Sequence, residues 1–302
     1  LPPLAAGEVL VEMLAAPINP SDVLTLTGAY GMLPPLPAIG GNEGIGRVVA
    51  VGSGVTLPVG QRVVLPISTG TWTTHLVAPE AALVPLPNAG DVLQLSMVAI
   101  NPPTASLLLS EFVPLDAGDW IVQNTANSAV GQYVVQLAKR RGVKTVNIVR
   151  RPEAAAAVYA AGADVVLVDG PDLGKRVAAA TGNAKIRLGL DAAAGSATDR
   201  IAQCVRVGGT VVNYGAMSGE SCKLAPSSFV FRDVTVRGFW VAKWIQKAPM
   251  DVKRALYGEL TGLIARGELV APVQATYALH NVREAIAAAA AGERHGKIIL
   301  VP

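Results

Sequence analysis

The stretch DWIVQNTANSAVGQYVVQLAKRRGVKTVNIVRR, residues 119–151, decides the fold. Residues 119–124 read as a buried strand ending at Asn124, and the small residues from Thr125 to Ser128 make a turn. A helix is expected over 129–141, where Val130, Val134 and Leu137 recur at i, i+4 and i+7 on one face. A second strand follows at 143–149. Strand, small-residue turn, helix and strand form the opening unit of a nucleotide-binding parallel sheet. Backbone N–H groups at the helix start, with the helix dipole, suit a pyrophosphate. The usual G-x-G-x-x-G is degraded here, with Ala126, Ser128 and Gly131 near its glycine positions. Small residues still allow close backbone approach, and Gly131 permits tight packing of helix on strand.

About 20 residues past that motif, NAD-binding units place an acid on the ribose hydroxyls. Here stand Arg150 and Arg151, and the first acid, Glu153, comes only after Pro152. Arginine favours a 2′-phosphate, since a charge-assisted hydrogen bond contributes about 1.5–3 kcal/mol, or about 10- to 100-fold in affinity. The expected cofactor is NADPH.

Outward from this stretch the alternation continues. Helices are expected at 153–161, ended by Gly162, at 173–180 and at 198–205, with strands at 163–168, 185–190, 206–213 and 234–239. Alternating β and α over 105–239 implies an α/β Rossmann domain with a doubly wound parallel sheet. The first hundred residues read differently. Pro2, Pro3, Pro17, Pro20, Pro34, Pro35, Pro37, Gly40, Gly41, Gly44 and Gly46 punctuate short β-branched runs at 8–13, 46–51 and 62–65. That pattern predicts a compact β-rich barrel over 1–104. After Trp240, helical patterns at 252–266 and 282–291 and a short strand at 297–301 leave the alternation, so 240–302 is expected to return and complete the first domain. No internal repeat is visible.

The 302 residues are 51% hydrophobic and 16% charged, which excludes a disordered chain. No apolar run reaches the roughly 18–20 residues of a spanning helix, so a soluble chain without a membrane span is expected. The formal charge of +3 comes from Lys and Arg scattered along the chain, without the cluster of a nucleic-acid-binding arm. Cys204 and Cys222 make neither a disulfide framework nor a zinc-site spacing. They point to a reducing compartment, the cytoplasm or, in a eukaryote, the mitochondrial matrix. The sequence begins at Leu1 within a strand approach, so upstream residues are expected, and any targeting segment would lie among them.

Several segments resemble the medium-chain dehydrogenase/reductase superfamily: INPSD at 18–22, GGNEGIG at 40–46, AVGQ at 129–132 and GKIIL at 296–300. Within it the chain is most similar to the zinc-free 2-enoyl thioester reductases of mitochondrial-type fatty acid synthesis. The segments that carry this are INPSDVLTLTGAYGMLPPLPAIGGNEG, NPPTA, QNTANSAVGQ, VNIVR, GGTVVNYGAMSGE and FRDVTVRGFW, in family order along nearly the whole chain. The resemblance implies a GroES-like catalytic domain around the Rossmann domain, NADPH as cofactor, an acyl thioester of CoA or acyl carrier protein as substrate, and a homodimer. No metal is expected. Zinc-dependent relatives place a His before the Glu of the GxE segment, whereas Asn42 precedes Glu43 here, and His75, His280 and His295 are dispersed.

Tyr30, in GAYGMLP, falls at the family's proton-donor tyrosine. A tyrosine hydroxyl of pKa about 10 is protonated at neutral pH. It can hydrogen-bond the thioester oxygen or supply the α-proton after hydride adds to the β-carbon. The resemblance also carries cofactor contacts over to Asn101, Asn127, Ser128, Ala129, Val130, Arg150, Tyr214, Gly215, Ala216, Met217, Phe239, Trp240, Val241 and Lys297, and Arg151 stands beside Arg150 as an alternative for the 2′-phosphate. Trp72 and Trp240 are candidate walls of an acyl channel. Two other readings stay open. One is an NADPH:quinone oxidoreductase of the same superfamily, and the other a nucleotide-binding protein that keeps the fold without turnover.

Overall fold

The structure is a computed structural model that describes residues 3–292 and 295–302. Leu1 and Pro2, the strand approach and first turn signal of the reading above, lie outside the described residues, as do Glu293 and Arg294. The chain folds as two compact units, Leu1–Pro103 with Trp244–Pro302, and Thr104–Lys243.

The first unit opens with β1 (Glu8–Pro17), α1 (Pro20–Leu26), β2 (Ile45–Val51), β3 (Arg62–Val64), β4 (His75–Pro79) and β5 (Val84–Pro85). Helix α2 (Val92–Ser96) follows, and α3 (Asn101–Leu108) leads into the second unit. Strand β1 alternates as a half-buried strand should, with Val9, Val11 and Met13 turned inward.

The second unit runs β6 (Trp120–Gln123), α4 (Ala129–Arg140), β7 (Lys144–Val149), α5 (Ala155–Ala160), β8 (Val165–Val168), α6 (Leu173–Thr181), β9 (Leu188–Asp191), α7 (Ser196–Cys204), β10 (Thr210–Asn213), α8 (Pro226–Val230) and β11 (Thr235–Gly238). These strands form a six-stranded sheet in the order β11-β10-β9-β6-β7-β8, with every neighbouring pair parallel. The order reverses between β6 and β9, where open α/β sheets bind their ligands. Both faces are covered. Val122, Val146 and Ile148 pack with Leu173, Val177 and Ile201, while Val149, of opposite pleat, packs with Ala126, Val135 and Val158. The strand expected at 206–213 is confined to Thr210–Asn213, because Gly208 turns the chain in a left-handed conformation at φ 71°. The helix expected at 153–161 opens as a tight turn at Pro152–Ala154, since a proline at the first position supplies no N–H to continue a ladder.

The chain returns to the first unit through α9 (Val241–Lys247), α10 (Met250–Ala265), β12 (Val273–Ala278), α11 (Val282–Ala290) and β13 (Lys297–Val301). The sheet there runs β12-β13-β1-β2-β3-β5, with β4 also paired to β1. β1 extends past Met13 because Ala16 and Pro17 pair with Leu300 and Ile299 of β13, a partner that local propensity does not reveal. β12, the alternating VQATYA, was not expected, and it lies parallel to β13. Ile18, Ile298 and Leu300 pack with Ala285 and Ala289 of α11, with Val23 and Trp72 against them.

Candidate active site

Because all strands of the second unit point the same way, the residues that follow them gather along one edge. Asn127 to Val130 follow β6, Arg150 and Arg151 follow β7, Tyr214 to Met217 follow β10, and Phe239 to Val241 follow β11. Ser128 caps α4, its hydroxyl accepting the Gly131 N–H at 3.1 Å. Gly131 has no room for a side chain, since a β-carbon there would lie 2.5 Å from the Ala126 carbonyl oxygen. Gln123, buried beneath, donates to the Gly131 carbonyl at 2.9 Å and to Asn147 Oδ1 at 2.7 Å, tying the helix to two strands. Arg150 is exposed and Arg151 half-buried. Gly215 lies close to strand β9's exit, where a β-carbon would meet the Ala192 carbonyl at 3.0 Å. The Tyr214 hydroxyl is buried with no hydrogen-bond partner among the described residues, and burial, with the Asp191 charge, raises its pKa. Phe239 stands edge-on to Phe112, with ring centroids 5.6 Å apart.

Sequence reasoning missed the centre of this edge. Asp191, fully buried at the end of β9, accepts from Asn124 Nδ2 at 2.6 Å, Thr198 Oγ1 at 2.7 Å, Asn213 Nδ2 at 3.0 Å and the backbone N–H groups of Ala193 and Ala194 at 3.0 Å. One carboxylate thus fastens the ends of β6, β9 and β10 together. An acid at the end of an apolar strand run was the available signal.

Tyr30, Asn101, Lys297 and Trp72 belong to the first unit. Tyr30 is half-buried just past α1, its backbone N–H donating to the Leu24 carbonyl at 3.1 Å. Trp72 lies under the Gly40–Gly41 backbone, where a β-carbon on Gly40 would lie 2.5 Å from its ring; the indole N–H is buried without a partner among the described residues. Asn101 and Lys297 meet in a buried polar cluster. Asn101 Nδ2 donates to Asn19 Oδ1 and Glu43 Oε1, each at 3.1 Å, and the Lys297 ammonium also donates to Asn19 Oδ1. Glu43 Oε1 accepts from Asn19 Nδ2 at 2.6 Å and Oε2 from the Ile100 N–H at 2.9 Å. Asp22 accepts the N–H groups of Asn42 and Asn19, both at 2.7 Å. Burial pushes the Glu43 carboxyl up to about 8 against the pull of Lys297, and it pushes Asp22 up to about 6 against its backbone hydrogen bonds. The motif residues INPSD and GNEG were visible in the sequence, but their buried chemistry was not.

The residues at the parallel-strand edge fit a dinucleotide. The capped start of α4, the side-chain-excluding Gly131, the tight approach of backbone at Gly215 and two arginines after β7 are the parts such a ligand needs. Zinc does not fit. Among the described residues no group of three His, Cys, Asp or Glu side chains gathers to hold an ion, and Asn42 stands before Glu43.

Residues 5–88 match the alcohol dehydrogenase GroES-like domain and residues 129–256 match the zinc-binding dehydrogenase family. The mitochondrial enoyl-[acyl-carrier-protein] reductase of Arabidopsis thaliana is 38% identical over 278 residues, which covers 89% of this chain and 74% of that protein. Among solved structures, the Etr1p complex with NADP and crotonyl-CoA superposes with a TM-score of 0.90 at 26% identity, covering 99% of this chain and 92% of that one. A mycobacterial quinone oxidoreductase superposes with a TM-score of 0.86 at 26% identity, covering 100% of this chain and 93% of that one.

Proposed function

The chain belongs to the medium-chain dehydrogenase/reductase superfamily, among the enoyl reductases of mitochondrial type, and we propose that it reduces the carbon–carbon double bond of trans-2-enoyl thioesters with NADPH, with Tyr30 as the proton donor. The likeness to mitochondrial enoyl reductases along 89% of the chain carries this reading. The substrate is an acyl thioester of CoA or acyl carrier protein.

When bound, the nicotinamide supplies a hydride to the β-carbon. The chain's own residues do the rest. Arg150 and Arg151, after β7, hold the 2′-phosphate, and the start of α4 behind Ser128 holds the pyrophosphate. Tyr214 and Gly215, following β10 beside Asp191, shape the nicotinamide end. The Tyr30 hydroxyl donates to the thioester oxygen as charge develops there, or gives its proton to the α-carbon. Asn101, Phe239, Trp240, Val241 and Lys297 complete the cofactor contacts.

The protein works as a homodimer. Strand β11 is an edge strand, exposed along its length, and it follows a segment in which Val230 and Phe231 are 73% and 78% exposed. An open sheet edge beside exposed apolar residues suits pairing with the same edge of a second copy. The relatives are mitochondrial, and no described helix is long and apolar enough to cross a membrane. A reducing compartment, the mitochondrial matrix or the cytoplasm, fits the two free cysteines.

NADPH consumption should be followed with a short and a long trans-2-enoyl-CoA, and with a quinone in parallel. Faster turnover of the thioesters supports the reductase reading. Quinone turnover alone favours the second reading, which the likeness to the mycobacterial quinone oxidoreductase supports.

A further inference from the structure

Helix α1 is seven residues long, and among the described residues Asp22 is the one side chain it buries fully. Its larger apolar residues lie largely outward, with Leu24 42% and Leu26 56% exposed, so hydrophobic packing, to which Val23 contributes, holds it weakly. Its position is fixed instead by polar contacts. One Asp22 oxygen accepts the Asn42 N–H from the loop before β2, and the other accepts the Asn19 N–H at the helix start. Asn19 is held in turn by Glu43, Asn101 and Lys297, which arrive from three separate segments of the first unit. At the far end of the helix, the Leu24 carbonyl accepts the N–H groups of Ala29 at 2.9 Å and of Tyr30 at 3.1 Å. The tyrosine is therefore bonded to the helix that the cluster holds.

We propose that Asp22 and Glu43 are positioning residues for the reaction, the buried mount that sets where the Tyr30 hydroxyl lies through α1. This rests on the reading of Tyr30 as proton donor. A misplacement of about 1 Å at a reacting group can cost on the order of 100-fold in rate, so small relaxations of this mount reach the chemistry. Asp22→Asn places an amide N–H₂ against one of two backbone N–H groups, and Glu43→Gln does the same against the donors of Asn19, Asn101 or Ile100.

The test is a double-mutant cycle with Tyr30→Phe on the intact enzyme, reading kcat, KM for the enoyl thioester and NADPH affinity by fluorescence. With Tyr30 present and at about pH 9, where both carboxyl groups are ionised, Asp22→Asn and Glu43→Gln should each lower kcat about 10-fold or more, and Asp22→Asn, whose bonds go to backbone N–H groups, should hold NADPH affinity within about twofold. In the Tyr30→Phe background the same substitutions should change kcat by less than about twofold, because no hydroxyl remains to misplace. An equal loss in both backgrounds overturns the positioning role while leaving Tyr30 as donor. Full activity of Tyr30→Phe alone overturns the donor reading and, with it, the mount. Should Asp22→Asn not fold, Glu43→Gln carries the same comparison.

Discussion

Glu43 Oε1 lies 2.6 Å from Asn19 Nδ2, and neither residue is open to solvent. With Asp22 nearby and the Lys297 ammonium bonded to the same asparagine, two carboxyl groups share one buried cation. Burial raises both acids, Glu43 to about 8 and Asp22 to about 6. The folded protein thus holds protons that the unfolded chain releases above the ordinary carboxylate range. The associated stability is complete below that range and is lost as pH rises toward about 8. Urea unfolding between about pH 5 and 9 should show falling stability for the wild type. Glu43→Gln, which imitates the protonated acid, should give a flatter profile. The lowered acids Glu80, Asp119 and Glu220 act in the opposite direction and at lower pH, so they do not mask the trend. A wild-type profile that rises through this window would contradict the assignment.

Tyr30→Phe should lower kcat for enoyl reduction by about 10²–10⁴, and NADPH affinity should stay within about twofold. Steady-state kinetics with a fluorescence titration separates the two quantities. Unchanged turnover would remove Tyr30 from the reaction.

Arg150 and Arg151 replaced together by Ala should weaken NADPH binding by about 10- to 100-fold, the worth of one or two charge-assisted hydrogen bonds. NADH binding should barely change. Equal loss for both dinucleotides would place the 2′-phosphate elsewhere.

Gly131→Ala adds a carbon 2.5 Å from the Ala126 backbone oxygen, so α4 must shift away from β6. Overpacking of this kind costs about 1–3 kcal/mol, measurable by urea unfolding, and NADPH should bind more weakly at the displaced helix start. Wild-type affinity and stability together would show that the turn has slack that the geometry denies.

Phe231→Lys combined with Val236→Lys puts charge on the exposed segment before β11 and on its edge. Light scattering should then report a monomer where the wild type is a dimer. A wild type that is already monomeric would end the dimer reading.

The Rossmann half was legible because its signals are local. Ser128 and Gly131 sit where a helix begins, and buried strands such as 144–149 declare themselves by β-branched residues. The β-rich half was legible only as a texture of turns. Ala16 and Pro17 belong to β1 because β13 pairs with them from the far end of the sequence, and no local window contains that partner. The site divides the same way. Tyr30 was reached through a resemblance, and the parallel edge through counting from Gly131. Asp22, Glu43 and Asp191 were missed because what makes them unusual is burial among distant donors, which arises only on folding.

The seating of β13 between β12 and β1 also sets a sequence of events in synthesis. The Thr104–Lys243 unit is continuous in the chain, so it can fold on the ribosome as soon as it emerges. The other unit cannot close its sheet until Ile299 has arrived to meet Pro17. Until then the Ala16–Pro17 end of β1, beyond the stretch that β4 covers, waits unpaired, an opening for strand-to-strand association between nascent chains. The early appearance of the Rossmann unit confines that exposure to the β-rich half, which makes it the part of this protein with most to gain from a chaperone.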